Sequence, residues 1–301
     1  MSAPVLLMTY RRPENTKRIL DIIKNFNQNN IFVFNDGLKT SHHKYNHRKT
    51  RNVILNFKKK NKINIIFSKK NLTQKYNLPF AISKVFKKFD KVIILEDDCI
   101  PNKSFFKFCN LLLERYKNDN RISQISGNNF LNYKKFKRRN DDSYFFSNFT
   151  SSWGWATWKN RWENSYDSKI SLWPKIKKEK WLNDIFNNKK SLHFWTKAFD
   201  RRFKELDDDW DRPWTFANLI NNRLNIFPSK NLISNIGADN SALHLNPKKW
   251  NKLKLEDIKF PLSHPKIICC DRSVDEFLTK EGFSIPKFSF RIKNKIKKLF
   301  F

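Results

Sequence analysis

Residues 92–101 read VIILEDDCIP, four apolar positions followed by Glu96, Asp97 and Asp98 and then by Cys99, Ile100 and Pro101. An unbroken apolar run closed by charge and proline has the character of a strand buried on both faces, as at the centre of a parallel sheet. The same pattern recurs on either side. PVLLMTY (4–10), IFVFN (31–35) and INIIF (63–67) read as strands, and RISQIS (121–126) as a fifth. Between them, Ile19, Leu20, Ile22, Ile23 and Phe26 share a helical face behind Pro13, and segments 51–60, 78–89 and 104–116 also have helical period. The order β-α-β-α-β-α-β-α-β predicts an α/β fold, a mostly parallel sheet flanked by helices with right-handed crossovers. Ligands of such sheets bind beyond the carboxyl ends of the strands, and Asp36 and Glu96–Asp98 fall there.

Beyond about residue 130 the sequence turns Trp-rich and irregular: SSWGWATWKNRW (151–162), LDDDWDRPWTFANLI (206–220) and NLISNIGADNSALH (231–244). Few clean strands can be drawn through it. With no Gly/Ser-rich or Pro-rich linker in between, this half reads as part of the same domain. The 301 residues are 39% hydrophobic, with 29 Phe and 10 Trp, enough for a packed core. There are 61 Lys and Arg against 28 Asp and Glu, a net charge of +33. Such an excess suggests nucleic acid, anionic membrane or phosphorylated substrates, but joint enrichment in Lys, Asn, Ile and Phe is also what an AT-rich coding sequence produces. Cys99, Cys109, Cys269 and Cys270 have no C-x-x-C spacing, so a reducing compartment fits best. No signal-peptide pattern opens the sequence, and no uncharged stretch approaches the ~20 residues of a membrane span.

Three adjacent acids after a strand can ligate a divalent cation, work as acid and base, or cap a loop. Aimed at one pocket they repel one another unless a cation or a proton neutralises them. Mg²⁺ and Mn²⁺ take hard oxygen ligands and share them with substrate phosphates, which makes a metal the economical reading. The surroundings strengthen it. ILEDDCIPNKSFFKFCNLLLERY (94–116) resembles the acidic metal-binding motif of GT-A glycosyltransferases, in particular the bacterial branch related to glycosyltransferase family 2 and the N-acetylglucosaminyltransferase I type. TYRRPENTKRIL (9–20), IFVFNDG (31–37), ISGNNF (125–130), SSWGWATWKNRW, WDRPWTFANLI and NLISNIG resemble further signatures in the same order, over roughly residues 4–245.

That resemblance implies a Rossmann-like GT-A fold, a nucleotide-diphosphate-sugar donor, an Mn²⁺ or Mg²⁺ cofactor and a glycan or lipid-linked acceptor in surface polysaccharide synthesis. Residues 1–130 would form the donor half, 131–265 the acceptor-side half and 266–301 a basic C-terminal tail. Asp98 would ligate the metal directly, with Glu96 and Asp97 contacting ribose or orienting the metal shell. Arg12 and Asp36 would hold the nucleotide and Lys75 the diphosphate, although Asp36 also fits a plain Asn-Asp-Gly turn and Lys75 a solvated lysine. His244 stands where the family has a histidine at the metal or diphosphate. GADNSALH departs there from the expected pattern, lacking its second glycine and its Asp-Ala-Thr-His run.

Inverting transfer needs a base for the acceptor hydroxyl. Asp211 is the candidate, because Trp210 and Trp214 would partly desolvate it; Asp209 is the fallback, and either acid could instead cap a helix. Trp153 and Trp155, around Gly154, offer indole faces on which a sugar can stack, or belong to the core. His42, His43 and His47 lack acidic or thiol company and read as a solvated helix end. In FSFRIKNKIKKLFF (288–301) apolar residues at helical spacing run beside five basic ones. This pattern suits peripheral contact with anionic lipid at the inner face of the membrane, or a last packed helix. The alternatives are a nucleotidyltransferase, against which TYRRPEN lacks a Gly-rich phosphate loop, and a nucleic-acid-binding module, for which no motif is visible. No nucleic-acid partner is expected.

Overall fold

The computed structural model describes residues 2–26, 29–131, 136–186, 188–237 and 253–281. The five apolar runs of the first half are strands: β1 (Val5–Thr9), β2 (Ile31–Asn35), β3 (Ile63–Phe67), β4 (Lys91–Glu96) and, after the short β5 (Cys99–Pro101), β6 (Ile122–Ser126). Between them run α1 (Pro13–Asn25), α2 (Lys44–Lys60), α3 (Thr73–Phe86) and α4 (Lys103–Arg115). Pro13 opens α1, where its missing N–H costs nothing. Asn102 caps α4, its side chain accepting from the N–H groups of Ser104 and Phe105 at 3.1 Å each.

Strands β1 to β4 pair in parallel in the order β3-β2-β1-β4, and alternate residues pack on opposite faces. Val5, Leu7, Ile93 and Leu95 join α1, α2 and α4 in one core, whereas Leu6, Met8, Val92 and Ile94 join α3 in another. Burial on both faces is why β1, β2 and the body of β4 read as apolar runs, whereas β3, at the sheet edge, exposes Asn64. The α/β class and mostly parallel sheet expected from the sequence are thus observed.

The irregular half supplies β7 (Tyr144–Ser147), β8 (Trp155–Trp158), β9 (Leu224–Pro228) and β10 (Ile233–Asn235). The large sheet has eight strands, continuing β4-β8-β6-β9-β7, with β8 antiparallel to both neighbours and β7 antiparallel to β9. Strands from either side of residue 130 therefore interleave in one sheet. Its helices are α5 (Lys159–Glu163), α6 (Trp173–Lys178), α7 (Leu182–Ile185), α8 (Lys189–Phe203), α9 (Asp211–Ile220) and α10 (Arg272–Glu281). A third core gathers Phe145, Trp173, Trp195, Phe199 and Phe216 with Val274 and Leu278 of α10. The stretch read as the start of a basic tail accordingly contains a packed helix, while residues 282–301 lie outside the described residues. Among the described residues no helix is long and apolar enough to cross a membrane.

Candidate functional site

Because β1 and β4 pair with Met8 opposite Glu96, and β1 and β2 with Thr9 opposite Asn35, the chain leaves all three strands at one edge of the sheet. Arg12, Asp36 and Glu96–Asp98 come together there. The acids occupy a tight turn between β4 and β5, and β5 is held antiparallel to β10, with Asn235 opposite Cys99. The Ile236 N–H donates to the Asp98 carbonyl at 2.8 Å. This brings Gly237 so close that a Cβ there would lie 2.1 Å from Asp98 Oδ2. The carboxylate packs directly on the glycine, and any side chain there would clash with it.

Three carboxylates meet one cation. Arg12 Nη1 donates to Asp98 Oδ2 at 2.8 Å and to Asp97 Oδ1 at 3.1 Å, and the Tyr10 N–H reaches Asp97 Oδ2 at 3.4 Å. Glu96 forms no ion pair with any described residue. Burial, then repulsion from Asp98, Asp97 and Asp211, pushes its carboxyl up to about 8. Burial also pushes Asp97 up to about 6, with Arg12 opposing and Asp98 adding repulsion. Burial works against the charge of Arg12, but Asp97 and Asp98 more than offset it and raise its proton affinity. Hard oxygens and excess negative charge suit a divalent cation. Among the described residues no group of three His, Cys, Asp or Glu is gathered to hold a metal by itself. One or two protein carboxylates with substrate phosphate and water would have to complete the shell. His244 lies outside the described residues.

Asp211 arrives from the other half. It opens α9, is partly buried, and pairs with no described Lys or Arg, its Oδ1 accepting from the Arg212 N–H at 3.0 Å. Its charge reaches Glu96, joining the two halves electrostatically. Trp210 and Trp214, its neighbours along the chain, are buried. Asp209 is differently placed: 5% exposed, it lies 2.6 Å from Arg212 Nη1 and 3.8 Å from Arg202 Nε.

Several other candidates have structural work. Asp36 is 3% exposed, and its carboxylate accepts from the N–H groups of Gly37 (2.8 Å) and Leu72 (2.9 Å) and from Asn71 Nδ2 (3.2 Å). It ties the loop after β3 to the end of β2, with both oxygens engaged by the chain itself. Lys75 is not in a loop but in the first turn of α3, buried, with Nζ 2.7 Å from Glu205 Oε1. Trp155 offers no open face. It is 1% exposed on the central strand β8, stacked on Trp210 at 5.3 Å between Trp162 and Trp214. Its place in mid-sheet, covered by α9, makes it core. Trp153 is only partly buried, edge-on to Phe130 at 5.2 Å, and Gly154 beside it has a φ of 58° that favours glycine.

No family model matches the sequence, and no curated protein does. Solved structures do. The chain is similar to mannosyltransferase PcManGT from Pyrobaculum calidifontis, in complex with GDP-Man and Mn²⁺, at 13% identity and TM-score 0.38 over 54% of this chain and 46% of that one. It spans less than half of that enzyme's length. It is also similar to 4-diphosphocytidyl-2C-methyl-D-erythritol synthase from Anaerococcus prevotii, at 10% identity and TM-score 0.33, covering 69% and 86% of the two chains. UDP-glucose pyrophosphorylase complexed with UDP-glucose gives 11% and 0.32, over 53% and 77%.

The sequence reading missed a polar collar behind the site. His47 is buried, its ring Nε2 2.8 Å from the Asp36 carbonyl, and His43 Nδ1 lies 2.9 Å from Tyr10 Oη. Arg51 Nε donates to Asn35 Oδ1 at 2.8 Å and Nη2 to the Ser68 carbonyl at 2.7 Å. A helix drawn from residue 51 made His47 look solvated. Since α2 starts at Lys44, His47 lies within its first turns and turns inward. The apolar spacing of Val53, Ile54 and Phe57, continued back to His47 and Thr50, was the available signal.

Proposed function

We propose that the chain is a metal-dependent glycosyltransferase of the GT-A kind, moving a sugar from a nucleotide-diphosphate donor to a hydroxyl of a glycan or lipid-linked acceptor. The observation that carries this reading is the end of β4 and the turn after it, where three adjacent carboxylates have one arginine among the described residues to neutralise them. A divalent cation bound there would neutralise the charge that develops on the leaving diphosphate. Asp98 would hold that cation, Glu96 and Asp97 would orient its shell or the ribose, and Arg12 would offer its free guanidinium nitrogens to diphosphate oxygens. Asp211, unpaired and facing the acids from the acceptor-side half, would take the proton of the acceptor hydroxyl. That oxygen forms the new bond to the anomeric carbon, and the old carbon–oxygen bond breaks with its electron pair leaving on the nucleoside diphosphate. Trp153 remains the candidate for stacking the acceptor. Synthesis of a surface polysaccharide at the inner face of the membrane fits a lipid-linked acceptor and the basic sequence of 288–301.

The same sheet could serve a nucleotidyltransferase, and the products separate the two. The test is a thermal-shift screen of UDP-, GDP-, CMP- and dTDP-sugars with and without Mn²⁺, since a ligand that binds only the folded chain raises its melting temperature. Chromatography of the reaction then follows. Release of nucleoside diphosphate from a nucleotide sugar supports glycosyl transfer. Pyrophosphate released from nucleoside triphosphate and sugar phosphate would replace it with nucleotidyl transfer.

A further inference from the structure

The oxygen of Asp98 that faces Gly237 is also the one Arg12 holds. A Cβ on Gly237 would lie 2.1 Å from Oδ2, and Arg12 Nη1 donates to Oδ2 at 2.8 Å. Oδ2 is thus covered by the glycine on one side and by the guanidinium on another, so departure of the arginine is what would expose it. The same Nη1 spans to Asp97 Oδ1 at 3.1 Å, so a single nitrogen neutralises both acids. Nothing else in the described structure fastens the guanidinium: its Nε and Nη2 make no hydrogen bond with a described residue, and its side chain is 32% exposed. Arg12 stands just before α1 at φ −116° and ψ 80°, outside the helix, and its side chain makes no capping bond.

We infer that Arg12 is a built-in counter-ion which occupies Asp98 while no donor is bound and moves off it when a diphosphate arrives. The inference rests on the reading of Asp98 as a metal ligand. In the donor-free chain the guanidinium excludes a divalent cation from Oδ2. An incoming diphosphate gives Arg12 a better anion, with two oxygens matching its planar fork, and the vacated carboxylate oxygen becomes available to the cation. Metal and donor thus enter as a unit, and bare metal binds weakly. Arg12 is in this sense a positioning residue that sets when Asp98 can ligate.

The test titrates Mn²⁺ into the full chain without nucleotide, following the free-ion signal by electron paramagnetic resonance. Arg12→Gln removes the competitor and should tighten Mn²⁺ roughly 10- to 100-fold, as expected for losing a charged hydrogen-bonded partner of the carboxylate. Arg11→Gln changes net charge equally one residue away and should leave Mn²⁺ affinity within about twofold of wild type. Arg12→Lys, which keeps the charge but lacks the fork, should fall between. Circular dichroism melts confirm that each variant is folded. Mn²⁺ affinity in Arg12→Gln equal to that in Arg11→Gln, with binding still abolished by Asp98→Asn, overturns the counter-ion role and leaves the metal reading standing. Mn²⁺ binding unaffected by Asp98→Asn removes the metal reading and the counter-ion role with it.

Discussion

Two acidic runs of this molecule, Glu96–Asp98 at the end of β4 and Asp207–Asp211 leading into α9, are neutralised differently. In the second run arginines are plentiful. Asp207 pairs with Arg201 and Arg212, and Asp209 lies between Arg212 and Arg202. The first run has Arg12 alone for three carboxylates, one of which, Glu96, is left without an ion pair among the described residues. The self-compensated run is built to fix a loop in place, and the under-compensated one to receive a cation. Asp208 accepts from Thr73 Oγ1 at 2.7 Å, and Asp211, also outside the arginine network, is the acid whose charge bears on Glu96. Sequence alone shows two clusters of acids, and the arginines around them decide what each can do.

The largest expected effect is at Asp98. Asp98→Asn keeps size and fold but removes the charge opposite Gly237, so Mn²⁺-dependent transfer should fall to background, by roughly 10³-fold or more. Full activity of Asp98→Asn in EDTA would break the comparison at its root. Next comes Asp211→Asn, expected to leave donor affinity nearly intact while lowering kcat by about 10²- to 10⁴-fold. Asp209→Asn sharpens the contrast, because a buried acid beside Arg212 and Arg202 should affect stability more than turnover. Equal kcat loss in Asp209→Asn, with Asp211→Asn normal, would exchange their roles.

The first half of the fold was legible because β1, β2 and β4 are buried on both faces and so read as short apolar runs closed by turn signals. Strand β8 was not. WATW follows a Trp-Gly loop, and its Trp155 looked suited to a sugar as well as to a core. What settles Trp155 is its stacking on Trp210, a residue 55 positions later, and no local pattern encodes that contact. The acids themselves were visible in the sequence, as was Arg12 beside its proline. Which oxygen Arg12 holds was not visible, nor was the engagement of Asp36 by Gly37, Asn71 and Leu72. Those contacts depend on how loops from different strands converge at one sheet edge.

Gly237→Ala comes third. The added methyl must displace Asp98 Oδ2, since the two would be 2.1 Å apart, while the backbone of β10 stays paired with β5. Isothermal titration should show Mn²⁺–nucleotide affinity lower by about 10- to 100-fold, the range seen when groups around metal ligands are disturbed. A melting temperature close to wild type is expected. Unchanged affinity would mean that the seat of Asp98 Oδ2 against the glycine is packing alone and does not serve a cation.

The smallest effect separates Asp207 from Asp209 by the sign of their pH dependence. Burial, then repulsion from Asp211, pushes the Asp209 carboxyl up to about 7 from its ordinary 3.8, outweighing Arg212 and Arg202. Between those values the folded chain keeps a proton that the unfolded chain releases. The stability this group contributes is therefore fully present below pH 3.8 and is lost as pH rises through about 7. Asp207 runs the other way. Burial alone would raise it, but Arg201 and Arg212 hold it below its ordinary value, so its contribution is present above that value and disappears as pH falls. Melting temperatures of wild type, Asp207→Asn and Asp209→Asn from pH 4 to pH 8 test both signs. The advantage of wild type over Asp209→Asn should shrink with rising pH, by about 3 °C or more, whereas its advantage over Asp207→Asn should persist at neutral pH and fade only at the acid end. Parallel curves for the two variants would mean that the arginines neutralise both acids alike, and the difference between a locked and a strained carboxylate within this run would vanish.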